Sequence, residues 1–226
     1  METIESLDKE CSALGGLFQQ VVNDMKTGVP QYEDFVNKAA KLHSNLKSTL
    51  MVLGAFLDSF QKIADAATNT KGATREIGAC LTRIVIRHKS MESKLKAICG
   101  AMFECMVLPF QDKLEDWKKS ATAMDKDHAK EYKKLRSEIK KKSDAVSRAQ
   151  KKQKKSKSGS NEQHIASKAI ESSLLELTKN LKILQETEKN ACRKALTEER
   201  SRYCMFVTSL KPVLEEEAAM VIFNLL

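Results

Sequence analysis

Proline is nearly missing from this chain of 226 residues: there are three, beside eight glycines, and aromatics make up only 5%. So few helix breakers, with Ala, Leu, Lys, Glu, Met and Gln filling the intervals, argue against a sheet protein and for long helices. No apolar run reaches membrane length. The longest, Leu50 to Leu57, has eight residues, against about 20 for a span. Met1 to Lys9 carries acids and no apolar core, so no secretory signal is expected there. The six cysteines (Cys11, Cys80, Cys99, Cys105, Cys192, Cys204) contain no CxxC pair, and the four histidines are scattered. Small buried thiols in a reduced, cytosolic protein are the expectation, with zinc well behind. GxSxG, P-loop and HExxH spacings are lacking. Nothing calls for an enzyme, a metal or a cofactor.

What the chain does have is concentrated positive charge. Residues 130 to 157 hold thirteen basic side chains: Lys130, Lys133, Lys134, Arg136, Lys140, Lys141, Lys142, Arg148, Lys151, Lys152, Lys154, Lys155 and Lys157. Only Glu131, Glu138 and Asp144 oppose them, so the block carries +10 of a net +9 and leaves −1 for the rest. Such a field implies an anionic partner surface.

Apolar spacing decides the architecture. Ile4, Leu7, Cys11, Leu14, Phe18, Val21 and Met25 step by 3 and 4, which predicts a helix over about 3–27. Gly28 and Pro30 read as a stop and a new start. Phe35, Ala39, Leu42, Leu46, Thr49, Leu53, Phe56, Phe60, Ile63 and Ala67 predict a second helix over 31–67. A third, over 73–155, carries Ile77, Leu81, Ile84, His88, Met91, Leu95, Ile98 and Met102, then Trp117 to Ile139. Around Pro109 its steps lengthen to 4, 4, 4, which predicts a local unwinding and a bend. Ser156 to Asn161 reads as a turn, and a last helix over 162–210 carries Leu174, Leu177, Leu181, Leu184, Ala191, Ala195, Tyr203, Phe206 and Leu210, bounded by Pro212.

An 80-residue helix would reach roughly 120 Å, beyond any compact globule of this size, whose radius of gyration is about 17 Å. The last helix covers only part of its seam. The rest predicts a second chain, most economically an antiparallel homodimer with distal helical arms. The expected fold is all-α, an elongated, coiled-coil-like helical bundle in a single domain.

A charge run is usually a solvated face. Here Tyr132, Leu135 and Ile139 keep the first half of the block on a folded helix, and acids barely offset it. Each cation near an anionic leaflet contributes about 1 kcal/mol, screened by salt. Base-stacking aromatics are missing after Tyr132, so membrane is favoured over nucleic acid. Ile4 and Leu7 share an apolar face opposite Glu5, Asp8, Lys9 and Glu10. They suit interfacial insertion and core packing about equally. His88 and His128 fall on the seam and read as core histidines. The rival reading is a cross-linker whose basic tips bridge acidic filaments.

Five stretches, KECSALGGLFQ (9–19), FLDSFQKIADAATNTKGATREIG (56–78), DWKK (116–119), DKDHAKEYKKLRSEIKKKS (125–143) and ETEKNACRKALTEERSRYC (186–204), resemble the inverse-BAR (IMD) domain of the missing-in-metastasis family. The resemblance implies an antiparallel, gently convex dimer that binds phosphatidylinositol 4,5-bisphosphate at the inner face of the plasma membrane and pushes it into protrusions. It implies lipid contacts at Lys140, Lys141, Lys142, Lys151, Lys152, Lys154 and Lys155, and shallow insertion of Ile4 and Leu7. Actin filaments and a Rac-type small GTPase are further partners it suggests. Residues 157–183 match poorly, and the apolar tail 218–226 has no place in the pattern. The proline- and serine-rich regions and the actin-monomer motif of longer family proteins are absent, so a fragment is expected.

Overall fold

Sequences poor in breakers and rich in heptad apolar spacing form helices whose stability comes from the faces they bury. The structure, a computed structural model, describes residues 4–155 and 161–225; for 152–155, 161–166 and 223–225 it describes the backbone. All four long elements are helical: α1 (Ile4–Asn69), α2 (Arg75–Ala101), α3 (Leu108–Lys155) and α4 (Asn161–Leu225), with a π-helical segment, Met102–Val107, between α2 and α3.

Two expectations of chain breaks need correction. α1 runs through Gly28 and Pro30 without interruption, and α4 passes Pro212 and ends at Leu225. A helical proline forfeits one hydrogen bond and costs about 3 kcal/mol. Pro30 is exposed, so water reaches the carbonyl it leaves open, while Val29 and Val36 on the same stretch are buried. Beyond Pro212, Val213 anchors the next turn in the core. The long spacing around Pro109 takes the form of the π-helical segment just before it, where the Leu108 amide donates to the Phe103 carbonyl, five residues back. The wider turn absorbs the extra residue and keeps Met102, Met106, Val107, Phe110 and Leu114 buried.

The chain divides into two units. The first comprises the chain through Gly28 together with Lys118–Ser201. Its three helix segments run antiparallel (α1 with α3) and parallel (α1 with α4). Asp8 pairs with Arg136 while Gln19 bonds Asp125, and Glu10 accepts from Gln185 while Leu14 accepts from Cys192. Phe18, Val22, Met25, Ala121, Met124 and Ala195 form one core cluster. Leu7, Cys11, Ile139, Val146, Leu177, Leu181 and Leu184 form another. Each fully buried large side chain contributes roughly 1.5–3 kcal/mol.

The second unit comprises Val29–Trp117 and Arg202–Leu226. Its core gathers Val36, Val107, Phe110, Trp117 and Val213, with Tyr32, Phe35 and Phe206 around them. Phe110 meets the rings of Phe206 and Trp117 edge-on at 5.6 and 5.8 Å. Arg202 is buried, stacks on Trp117 and donates to its carbonyl at 2.9 Å. In the α1–α2 hairpin the helices touch through small residues. A Cβ on Gly78 would lie 2.5 Å from the Thr68 backbone nitrogen, so only glycine permits this approach.

The hairpin also overturns the predicted seam. Leu50, Leu57 and Ala64 of α1 and Gly78, Val85, Glu92 and Cys99 of α2 are buried, each series advancing by seven. The expected seam residues Leu42, Phe56, Ile63, Ile77 and Ile84 are exposed, and so is His88, whose ring Nδ1 lies 2.9 Å from the Ile84 carbonyl. Tyr203 on α4 is likewise exposed. Within one chain α2 turns Gly78, Val85, Glu92 and Cys99 inward and leaves Ile77 and Ile84 out.

Candidate functional site

The basic block lies on α3 in the first unit, and the fold sorts its members. Tyr132, Leu135, Ile139 and Val146 turn inward, leaving Lys130, Lys133, Lys134, Lys140, Lys141, Arg148 and Lys151 exposed on the opposite side. Among the described residues none of these seven is placed in an ion pair. Charges so placed are hydrated and add to one field above a helix face.

Two block members are bound into the fold instead. Arg136 donates to Asp8 and, through Nε, to the Tyr132 hydroxyl at 2.9 Å, with its guanidinium 5.3 Å from the Tyr132 ring centroid. Burial alone would lower its pKa, but the bonds from Asp8 and Tyr132 prevail and raise it. Arg136 thereby ties the start of α1 to α3. Lys142 pairs with Glu176 of α4, and that hydrogen bond draws the Glu176 carboxyl below its ordinary value. Lys152, Lys154 and Lys155 lie on the described backbone of α3, and Lys157 lies outside the described residues.

The two candidate insertion residues are also sorted. Leu7 is 1% exposed, packed with Ile139, Leu177 and Leu181, so the packing alternative is the one the fold displays. Ile4 is half-buried at the margin of that cluster. Inserting Leu7 into a bilayer would require it to leave this core.

Inside the same unit His128 is nearly buried, as its place on the seam predicts, but the buried carboxylate it meets was not foreseen. Glu188 is 0% exposed, and His128 Nε2 lies 3.0 Å from both of its carboxylate oxygens. The signal was present: the steps Leu177, Leu181, Leu184 lead by 3 and 4 to Glu188. Burial pushes the thiols of Cys11 and Cys192 upward, with the Glu188 charge reinforcing it. Burial likewise raises the Cys99 thiol in the second unit. Among the described residues no group of three or more His, Cys, Asp or Glu is placed to hold a metal ion. No described helix is long and apolar enough to cross a membrane.

Known proteins carry the same pattern. The family described as "IRSp53/MIM homology domain" matches residues 18–223. The Homo sapiens "Protein MTSS 1" is 52% identical over 215 residues, 95% of this chain and 28% of that protein. The Homo sapiens "Protein MTSS 2" is 50% identical over 218 residues, 96% of this chain and 29% of that protein. The chain thus spans under a third of the length of these relatives. In three dimensions it resembles the N-terminal I-BAR domain of D. Discoideum IBARa, with a TM-score of 0.76 at 14% identity over 94% of this chain and 85% of the other. At that identity the likeness shows the fold. The chain belongs to the IRSp53/MIM homology domain family, whose members are helical scaffolds of membrane curvature of the inverse-BAR type.

Proposed function

We propose that this domain docks as a homodimer on phosphoinositide-rich membrane, phosphatidylinositol 4,5-bisphosphate above all, and bends it outward into actin-supported protrusions from the cytoplasmic side. The observation that carries the reading is the exposed row Lys130, Lys133, Lys134, Lys140, Lys141, Arg148 and Lys151 on α3. Seven cations at about 1 kcal/mol each in the field of an anionic leaflet suffice for firm binding at moderate salt. The attraction fades as the Debye length shortens. Lys152, Lys154, Lys155 and Lys157 extend the same row in sequence. Curvature follows from differential contact, because headgroups meet more of a rigid basic face when the bilayer follows it.

The homodimer is supported by the large apolar side chains left open on the second unit: Met51, Val52, Phe56, Ile63, Ile77 and Ile84 on the hairpin, and Val207, Leu214 and Val221 on α4. Stripes of that extent ask for a partner. Direct contacts with actin filaments and with a Rac-type GTPase belong to the proposal through the family resemblance.

The test is co-sedimentation with phosphoinositide vesicles at two salt concentrations. A variant carrying Lys140→Glu, Lys141→Glu, Arg148→Glu and Lys151→Glu is expected to bind at least tenfold more weakly. The wild type is expected to lose affinity steeply with salt. Undiminished binding by the variant would refute the assigned face. Low-speed actin pelleting without lipid tests the filament contact separately.

A further inference from the structure

Apolar seams specify axial alignment weakly, because similar knobs recur every few residues along each helix; a buried polar group specifies it strongly. In the first unit one such group interrupts the seam of α4. Glu188 is fully buried, and the other two helices both address it. From α3, His128 places Nε2 3.0 Å from each carboxylate oxygen. From α1, Gly15 leaves room: a Cβ there would stand 3.2 Å from Glu188 Oε2. Phe18, one turn further along α1, lies against the His128 ring with centroids 4.0 Å apart. His128 Nδ1 is buried without a hydrogen-bond partner, so the ring's polar anchorage is its contact with Glu188.

We propose that Gly15, His128 and Glu188 form a register lock that holds α1, α3 and α4 of this unit in a single axial alignment. The alternatives are poor. Sliding α1 by one heptad, about 10 Å, would set Asp8 or Val22 where Gly15 stands, a like charge in one case and a filled space in the other. Sliding α3 by a heptad would set Ala121 or Leu135 in place of His128, leaving a buried carboxylate with no donor. The second unit shares the glycine-to-glutamate contact across helices, though there the cation comes from the same helix as the acid. A Cβ on Gly54 of α1 would lie 2.9 Å from Glu92 Oε1, and Lys96 pairs with that same oxygen at 2.6 Å. The lock stands apart from the docking reading; its consequence, a fixed arrangement of the α3 cations, rests on it.

The experiment measures alignment without lipid, so its failure is separable from failure of membrane docking. Spin labels are placed at Glu138→Cys on α3 and Lys182→Cys on α4, both exposed positions. Cys80 and Cys204 are changed to serine, and labelled chain is diluted with unlabelled chain. The wild-type pair is expected to give one narrow distance. The His128→Leu, Glu188→Leu double variant should melt at or above the wild-type temperature, yet give a distribution broadened or split by up to about 10 Å, one heptad. Glu188→Gln, which still accepts from His128, should restore the narrow peak. An unchanged single peak in the double variant overturns the proposal. Should that variant not fold, Gly15→Val decides: it drives the carboxylate aside, and an unaltered peak there overturns the lock equally.

Discussion

The two units use the same helices differently. Of the net charge of +9, the first unit carries +8, from 25 cations against 17 anions, and it covers most of its apolar seam. The second is nearly neutral and leaves a row of large apolar side chains open, among them Phe56 at 60%, Ile63 at 62% and Ile77 at 56% exposure. Charge excess and apolar excess are therefore separated within one chain. A surface meant for hydrated anions keeps its cations in water, and a surface meant for another helix keeps charge off its centre.

The sharpest way to break this comparison is to damage the closed core. Phe18→Ala, at a fully buried site against His128, is expected to destabilise the first unit by about 3–5 kcal/mol. Chemical denaturation, with hydrogen exchange across residues 7–25, would register it. Next comes Gly78→Ala, which forces the hairpin helices apart at Thr68 and should cost roughly 2–4 kcal/mol. Here the loss of protection should centre on residues 57–92 and spare the first unit. A global loss of protection would show that the two units unfold as one.

Phe56→Ser with Ile63→Ser should act differently again. Both side chains are exposed in the single chain, so secondary structure should be retained with a change of within about 0.5 kcal/mol per site. Self-association measured by sedimentation velocity should fall by at least tenfold. Unchanged association would remove the assigned dimer surface. The smallest effect concerns acid. Asp125 accepts from Lys26 and, at 3.2 Å, from Gln19, and the Lys26 hydrogen bond holds its carboxyl below the ordinary carboxylate range. Because the folded value is the lower one, its stabilisation is complete above about pH 4 and is lost as pH falls through the depressed value. The pair is about one-third exposed, so Asp125→Asn should cost no more than about 1 kcal/mol at pH 7 and less at pH 3. Equal costs at the two pH values would remove the pair's role.

How much was legible also divides by unit. In the first unit the spacing of Leu7, Cys11, Phe18, Met25, Ala121, Met124, Leu181 and Ala195 marks the core correctly, because three helices enclose one seam and the enclosed side chains are mostly apolar. In the hairpin the same reading selects Phe56, Ile63, Ile77 and Ile84, the face a single chain leaves uncovered. There the inward contact is made by Gly78, Val85, Glu92 and Cys99, too small or too polar to stand out in a hydropathy pattern. The breaks expected at Gly28–Pro30 and at Pro212 failed for a related reason. Local propensity is worth about 3 kcal/mol at a proline, and burial of neighbouring valines offsets it.

By itself the sequence determined that this protein is helical, that its helices are long, that its positive charge is gathered on one stretch, and which family it resembles. All of these are properties of composition and spacing along a line. Tertiary structure alone decided which cations of the block are spent on internal pairs, Arg136 on Asp8 and Lys142 on Glu176, and which are left exposed. It alone decided that Leu7 lies in the core, and that Glu188, an acid in an otherwise apolar series, is buried beside His128 and Gly15. Those outcomes depend on which residues face one another across three helices, and facing is a relation that no single stretch of chain contains.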